Sequence, residues 1–129
     1  MLGVMSTTRP EAPSVAHVDQ RITLHDVTWE DYERLLQIRD ESAVPQMTYL
    51  NGALEFMSPS WAHEEIKTVL ARLIEAWADQ TGTAVEGHGS WTMKDKAHEC
   101  GIEPDECYQV GPPRRGEWPD FAIEVVWTQ

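Results

Sequence analysis

Two segments of the chain repeat apolar residues at helical spacing. The longer segment opens at Ser58-Pro59-Ser60 and ends at Gly82, a residue typical of helix ends. Its apolar positions are Ile66, Leu70, Leu73 and Trp77. The shorter segment follows Thr28, a helix-capping residue, and has acids in its first turn. Its apolar positions are Tyr32, Leu35, Leu36 and Ile38. The pattern therefore predicts one short and one long helix.

Extended segments lie between and after these helices. Asn51-Gly52 separates two apolar runs, 48–50 and 54–57, and is a strong signal for a two-residue β-hairpin. Short strands and turns are expected over 85–93, and the last extended candidates are 102–108 and 121–127. In the last of these, Phe121, Ile123, Val125 and Trp127 fill one face, while Ala122 and Val126 flank Glu124 on the other. This apolar segment predicts a buried central strand.

The order of elements predicts an α/β fold of the α+β type, with one mixed sheet and helices packed on it. Residues 1–20 show no periodic apolar pattern and are expected to form a mobile tail before a single domain over 21–129. Because the last strand closes two residues before Gln129, we expect a core truncated after a central strand, with its C-terminal part incomplete. An uncovered strand edge of this kind would favour a homodimer.

Composition narrows the possible functions. With 129 residues and 41% hydrophobic content, the chain can form one compact core. Its formal charge of −12 argues against a protein that coats nucleic acid with a basic surface. A bound divalent cation can reverse the local electrostatics, so an enzyme acting on nucleic acid stays possible. No apolar run suits a membrane span or a secretion signal, so we expect a cytoplasmic protein in which Cys100 and Cys107 are free thiols.

A carboxylate within an apolar strand is the strongest chemical signal. Glu124 must be paired with a cation, protonated or exposed at an edge, because burying an unpaired charge is very costly. Asp105, which follows Pro104, precedes it by 19 residues. Alternation along one strand would place Glu103, Asp105 and Cys107 on the same face. Two such carboxylates can hold Mg²⁺, or Mn²⁺, for phosphodiester hydrolysis, although an exposed Glu124 is the ordinary alternative.

Three segments carry a resemblance to a known family. They are GIEPDECY (101–108), PDFAIEVVWT (119–128), and the earlier run Met57-Ser58-Pro59-Ser60 followed by His63-Glu64. In this order they resemble the Uma2 family of restriction-endonuclease-like proteins, over roughly Thr28 to Thr128. The resemblance implies a PD-(D/E)xK core and metal-dependent hydrolysis of nucleic acid, with DNA as the expected substrate.

The same resemblance implies roles for individual residues. It makes Asp105 and Glu124 the metal ligands, and it places His63 and Glu64 near them in the catalytic site. His63 also shares the helix face of Ile66, whereas Glu64 lies about 100° further round the helix. A core histidine bonded to a backbone carbonyl is the structural alternative for His63.

One position departs from the family pattern. The simplest motif has lysine where this chain has Val126, and similar family members carry a lysine in a later helix. Lys94 and Lys96 precede Asp105 on another segment and are interpreted as surface residues. Two alternatives to an endonuclease therefore remain open. One is a truncated, non-catalytic relic that acts as a binding or assembly module, and the other is a metal-binding protein that does not cleave.

Other residue groups are weaker candidates. His98, Cys100 and Cys107 lack the compact spacing of a zinc site. Asp120 lies about 13 Å from Glu124 at strand rise, so it is interpreted as strand entry. Arg114-Arg115 could contact a phosphate or simply be exposed. Among the tryptophans, the pattern predicts a core position for Trp77, Trp91 and Trp127 and a surface position for Trp61 and Trp118.

Overall fold

The computed structural model of the chain describes Gly3 and residues 18–126. These residues form two helices and eight strands. In chain order they are β1 (Gln20–Leu24), α1 (Trp29–Arg39), β2 (Gln46–Leu50), β3 (Ala53–Ser58), α2 (Trp61–Thr81), β4 (Val85–Gly89), β5 (Met93–Asp95), β6 (Cys100–Ile102), β7 (Glu106–Val110) and β8 (Phe121–Ile123).

The described strands form two sheets. A five-stranded sheet has the order β1-β3-β2-β6-β5, and a three-stranded sheet has the order β4-β7-β8. Every strand pair in both sheets is antiparallel. The predicted α+β class is confirmed, but the prediction of one mixed sheet is wrong. In the β2–β3 hairpin the two-residue connection requires antiparallel pairing, because a parallel pair needs a long crossover.

The helix α1 packs on the five-stranded sheet through aromatic side chains. Its N-cap Thr28 accepts a hydrogen bond from the Asp31 N–H at 3.1 Å, as the sequence predicted. Tyr32 stacks on Tyr49 with ring centroids 4.8 Å apart. Gly101 passes so close to Tyr32 that a methyl group there would overlap the tyrosine hydroxyl. These contacts fix β6, and therefore the start of the segment that leads to Asp105.

The predicted hairpin is confirmed. The strands β2 and β3 pair up to Leu50 and Ala53, and Asn51 and Gly52 connect them with φ angles of 45° and 88°. Two positive φ angles suit the primed turns that match the right-handed twist of a hairpin.

The long helix is also confirmed at both ends. The Ser60 hydroxyl accepts a hydrogen bond from the His63 N–H at 3.1 Å, and Gly82 ends α2 in the left-handed conformation. The predicted core position of Trp77 is wrong, because this side chain is 54% exposed. The buried residues of α2 are His63 and Ala78, and Leu73 is 59% exposed as well, so the covered face includes His63 but is rotated away from Leu73 and Trp77.

The segment predicted as one strand over 102–108 is divided between the two sheets. The strand β6 ends at Ile102 in the five-stranded sheet, and β7 begins at Glu106 in the three-stranded sheet. Pro104 lies between them and has no N–H to continue a ladder, which explains the break. Glu103, Asp105 and Cys107 are all buried, but they do not share the face of one strand.

The last described strand differs from its prediction as well. Within the described residues, β8 lies at the edge of the three-stranded sheet and is not central. The predicted alternation is present, because Val125 is buried while Glu124 and Val126 are exposed. Trp127 lies outside the described residues.

Most of the predicted tail over 1–20 also lies outside the described residues. Its last two positions take part in the fold. Gln20 begins β1, and Asp19 contacts the first turn of α2.

Candidate metal site around Asp105

Asp105 lies at the bend before β7, and its side chain is fully buried. Its Oδ1 accepts a hydrogen bond from Gln46 Nε2 at 3.0 Å and lies 2.9 Å from His63 Nε2. Its Oδ2 accepts one from the Val125 N–H at 2.7 Å. Gln46 and the Val125 N–H therefore hold the carboxyl group from two sides. The contacts join β2, α2 and the segment after β8 at one carboxylate.

His63 lies between two carboxylates in the first turn of α2. Its Nδ1 is 2.9 Å from Asp19 Oδ2, and its Nε2 is 2.9 Å from Asp105 Oδ1. Two carboxyl groups, one at each ring nitrogen, favour the protonated ring, which can donate from both nitrogens. Burial alone would lower the pKa of His63, but the hydrogen bonds to Asp19 and Asp105 outweigh it and raise the pKa. The alternative of a histidine bonded to a backbone carbonyl is wrong.

Asp19 holds His63 from the opposite side. It accepts a hydrogen bond from the Ser60 N–H at 2.8 Å in addition to its contact with His63. Burial raises the pKa of Asp19. Hydrogen bonds from the Ser60 N–H and His63 lower this pKa by more than burial raises it, so the net pKa is below the ordinary value. Asp19, His63 and Asp105 therefore form a continuous charged chain.

Glu124 is the residue before Val125, whose N–H binds Asp105. Its side chain is exposed, but partial desolvation and then the negative charge of Asp105 raise its pKa from 4.5 to about 6. The positive charge of His63 opposes this shift and does not cancel it. Two carboxyl groups that repel each other in this way favour a bound cation.

Carboxylate oxygens are the ligand type that hard divalent cations accept. Three described hydrogen-bond contacts leave one lone pair of Asp105 Oδ2 without a partner, and the Glu124 carboxyl group accepts a hydrogen bond from the Asp105 backbone N–H. Mg²⁺ commonly uses one or two carboxylates and keeps several waters. Within residues 18–126, no three His, Cys, Asp or Glu side chains form a complete ligand group. The two carboxylates would therefore need water or substrate oxygens to complete the shell.

Glu64 is oriented differently from His63. Its Oε2 contacts Lys67 Nζ at 3.1 Å, and it makes no hydrogen bond to Asp105 among the described residues. Lys67 also lies near Glu106. Burial raises the pKa of Glu106, the charge of Lys67 lowers it, and the charges of Asp105, Glu64 and Glu75 raise it further. The structure therefore places Glu64 in a second acidic group next to the Asp105 site.

Sequence reasoning missed four of these residues, including Gln46, which is 59 positions from Asp105 in the chain. Glu106 directly follows Asp105, and Lys67 lies one helical turn after His63, so spacing could have identified both. Asp19 carried no comparable signal, because it contacts His63 from 44 positions earlier in the chain.

The weaker candidates have structural roles. Asp120 accepts hydrogen bonds from the Val110 N–H at 2.7 Å and from Arg114 Nη2 at 2.6 Å, which confirms its interpretation as strand entry. His98 is exposed and binds Asp95 at 2.6 Å. Lys94 and Lys96 form exposed ion pairs with acids of α1, as expected of surface lysines. Trp61 and Trp118 are exposed at 73% and 58%, which confirms their predicted surface position.

The comparisons with known proteins supply a family. The model of the Uma2 family, described as "Putative restriction endonuclease", matches residues 29–129. No curated protein and no solved structure matches the chain. None of the described helices is both long enough and apolar enough to cross a membrane. The α+β architecture agrees with a restriction-endonuclease-like fold, and the matched segment includes His63, Asp105 and Glu124. The chain belongs to the Uma2 family.

Proposed function

We propose that this chain is a metal-dependent endonuclease that hydrolyses phosphodiester bonds in DNA, with Asp105 and Glu124 as the ligands of Mg²⁺ or Mn²⁺. The observation that carries the proposal is the pairing of a buried Asp105, held by the Val125 N–H, with the neighbouring Glu124, whose pKa is raised to about 6 by burial and by the charge of Asp105. Perturbed carboxyl groups of this kind are typical of functional sites. The nuclease-type description of the family supports the reaction class.

The residues around Asp105 act by orienting it. Gln46, His63 and the Val125 N–H each contact the carboxylate, and they leave one lone pair of Oδ2 without a hydrogen bond among the described residues. Hydrogen bonds around a ligand carboxylate fix its direction in the way that outer-shell partners usually do. A bound divalent ion would neutralise phosphate charge and lower the pKa of a water molecule.

Glu124 supplies the accessible side of the site. Its side chain is exposed and lies in an edge segment, so a polymeric substrate could approach it without a rearrangement of the core. As a positive charge approaches, its raised pKa should fall and the ionised form should dominate.

A lysine at the position of Val126 would complete the simplest family motif, and Val126 is 76% exposed. Lys67 is the described lysine that lies among the acidic groups near Asp105. We propose that Lys67 stabilises charge at the phosphate. The valine also favours a second function, a metal-binding protein that does not cleave.

Thermal unfolding with and without Mn²⁺ tests metal binding. Binding to the folded state stabilises it by about 2.7 kcal/mol at a metal concentration one hundred times Kd. We expect a higher Tm with Mn²⁺ in the wild type and no change in the double variant Asp105→Ala/Glu124→Ala. The matched control Glu33→Ala/Glu41→Ala removes two acids outside the site and should keep the response. Equal responses in both double variants would refute the proposed ligands.

Cleavage of supercoiled DNA separates the two functions. An endonuclease should convert it to nicked or linear DNA with Mg²⁺, and Asp105→Ala/Glu124→Ala should abolish this conversion. Lys67→Ala should lower the rate, whereas Lys96→Ala serves as its surface control. Metal-dependent stabilisation without cleavage would favour the non-cleaving metal-binding protein.

A further inference from the structure

A cavity lies on the three-stranded sheet, next to the loop over 111–117. It has a volume of about 470 Å³. Its lining includes Glu86, His88, Ser90, Trp91, Gln109 and Arg115. None of these residues belongs to the Asp105 site, so the cavity calls for a separate explanation.

Two polar atoms of the lining lack partners. Glu86 Oε2 and Ser90 Oγ are buried, and neither has a hydrogen-bond partner among the described residues. A buried polar group without a partner is costly, so such groups often indicate a missing ligand or water. A carboxylate oxygen calls for a donor, and a hydroxyl can donate or accept. The cavity therefore suits a ligand with an N–H donor next to an acceptor.

The neighbouring Gln109 is satisfied and forms a fixed wall. Its Oε1 accepts a hydrogen bond from the Arg114 N–H at 3.0 Å, and its Nε2 donates to the Arg114 and Glu117 carbonyls at 2.9 and 3.1 Å. Gln109 therefore needs no further partner, and the buried atoms of this lining that lack one are Glu86 Oε2 and Ser90 Oγ.

The cavity also offers an aromatic ring and a positive charge. The Trp91 ring is half-buried and lies 5.8 Å from the His88 ring. Arg114 is bound to Glu117 and Asp120, at 2.8 and 2.6 Å. Arg115 is exposed and forms no ion pair with any described residue. A flat group can stack on Trp91 while an anion binds Arg115.

We propose that this cavity binds one nucleotide of the substrate through a base with an exocyclic amino group, such as cytosine. The amino group would donate to Glu86, Ser90 would donate to a ring nitrogen or carbonyl, and the phosphate would bind Arg115. Thymine would instead direct a carbonyl oxygen at the carboxylate. The role in substrate binding rests on the proposed nuclease function.

The position of the cavity agrees with a substrate-binding role. Gln109 lies four residues beyond Asp105 along the same segment, which corresponds to about 13 Å at strand rise. A nucleic-acid strand can extend over this distance, while a mononucleotide tests the cavity apart from the metal site.

The experiment titrates the full chain with dCMP and, separately, with dTMP in the presence of EDTA. Binding is followed by NMR through the indole N–H of Trp91, assigned with Trp91→Phe. We expect dCMP to bind about tenfold more tightly than dTMP, as one good base contact allows. Glu86→Leu should remove the preference, and Arg115→Gln should weaken both nucleotides equally. Glu41→Leu and Arg34→Gln are the exposed controls and should change neither affinity.

Several results would overturn the proposal. They are the absence of any shift at about 10 mM nucleotide, equal affinity for the two nucleotides, and a preference that persists in Glu86→Leu. If Glu86→Leu does not fold, Glu86→Gln takes its place, because an amide can also donate to the thymine carbonyl and should narrow the preference. The Mn²⁺ experiment is independent of these results. A dCMP preference without a metal response would retain the cavity as a nucleotide site and reject the proposed nuclease.

Discussion

Glu103 and Asp105 are separated by a single proline and are both buried, yet their surroundings differ in charge. Glu103 forms a two-pronged ion pair with Arg39, in which Arg39 Nη2 lies 2.6 Å from Oε2. It also accepts hydrogen bonds from Thr92 Oγ1 at 2.6 Å and from the Met47 N–H at 2.7 Å. Burial raises the pKa of Glu103, but hydrogen bonds from Arg39 and the other donors lower it by more, so the net pKa is below the ordinary value. One anion is matched by one cation.

Around Asp105 the charges do not balance. His63 contacts both Asp19 and Asp105, and Glu124, whose pKa is raised, is coupled electrostatically to Asp105 and His63. Three acidic side chains thus act on one histidine. Burial alone therefore does not identify a functional carboxylate. Excess negative charge at a fixed position distinguishes the candidate metal site from the structural ion pair.

The largest effect on stability should follow from Glu103→Ala. Removing one partner of a buried ion pair leaves an uncompensated charge, here on Arg39, and costs about 3–5 kcal/mol. Urea unfolding at pH 7 measures this loss. Glu33→Ala is the control, because its exposed pair with Lys94 should contribute about 0–1 kcal/mol.

The Glu103 contribution should also depend on pH. Its pKa is lower in the folded chain than the ordinary value of 4.5, so its stabilisation is complete above 4.5 and is lost as pH falls through the folded pKa. The gap between wild type and Glu103→Ala should therefore shrink in acid. A gap that stays constant, or a loss no larger than that of Glu33→Ala, would contradict the assigned ion pair.

A smaller loss of stability is expected for Asp105→Asn. Gln46, His63 and the Val125 N–H all donate to Asp105, so the amide group of asparagine must face a donor. A buried donor without an acceptor costs about 1–3 kcal/mol. The same change should abolish the Mn²⁺ response, whereas any folded Glu103→Ala should keep it. Calorimetry with and without Mn²⁺ measures both quantities, and a retained response would remove Asp105 from the metal site.

The sequence predicts the structural features that depend on interactions between neighbouring residues. Thr28, Ser60 and Gly82 define the helix ends through hydrogen bonds or backbone conformations within a few residues of themselves. Asp105 and Glu124 were predicted as metal ligands because a carboxylate within an apolar strand is costly and because the surrounding segments resemble a family. The structure buries Asp105 but leaves Glu124 exposed beside an edge strand, so the buried strand expected around Glu124 is wrong, and the role of both residues as ligands stays a prediction.

The remaining features depend on contacts between distant segments. Arg39 and Glu103 are 64 positions apart, and no periodicity connects them. Asp19 was assigned to a tail because its neighbours lack an apolar pattern, although its carboxylate binds α2. Trp77 follows the helical repeat of a core residue, but the buried positions of the helix are His63 and Ala78. Periodicity gives a helix an apolar face and does not decide which part of it is covered.

The smallest effect on folding should come from Glu124→Gln, which separates the candidate metal site from the Arg39–Glu103 ion pair most clearly. The pKa of Glu124 is about 6 in the folded chain and 4.5 ordinarily, so its ionisation opposes folding. Relative to the variant, the wild type should be most stable below about 4.5 and should lose stability as pH rises through about 6. Because the side chain is exposed, solvent screening limits this change to less than about 1 kcal/mol. Urea unfolding between pH 4 and 8 tests it, and parallel curves for the two proteins would contradict the raised pKa.

The substitution Glu124→Gln should also remove the Mn²⁺ response, although it barely alters the metal-free fold. Glu103→Ala should do the reverse, because its carboxylate stabilises the fold and is not available to a metal ion.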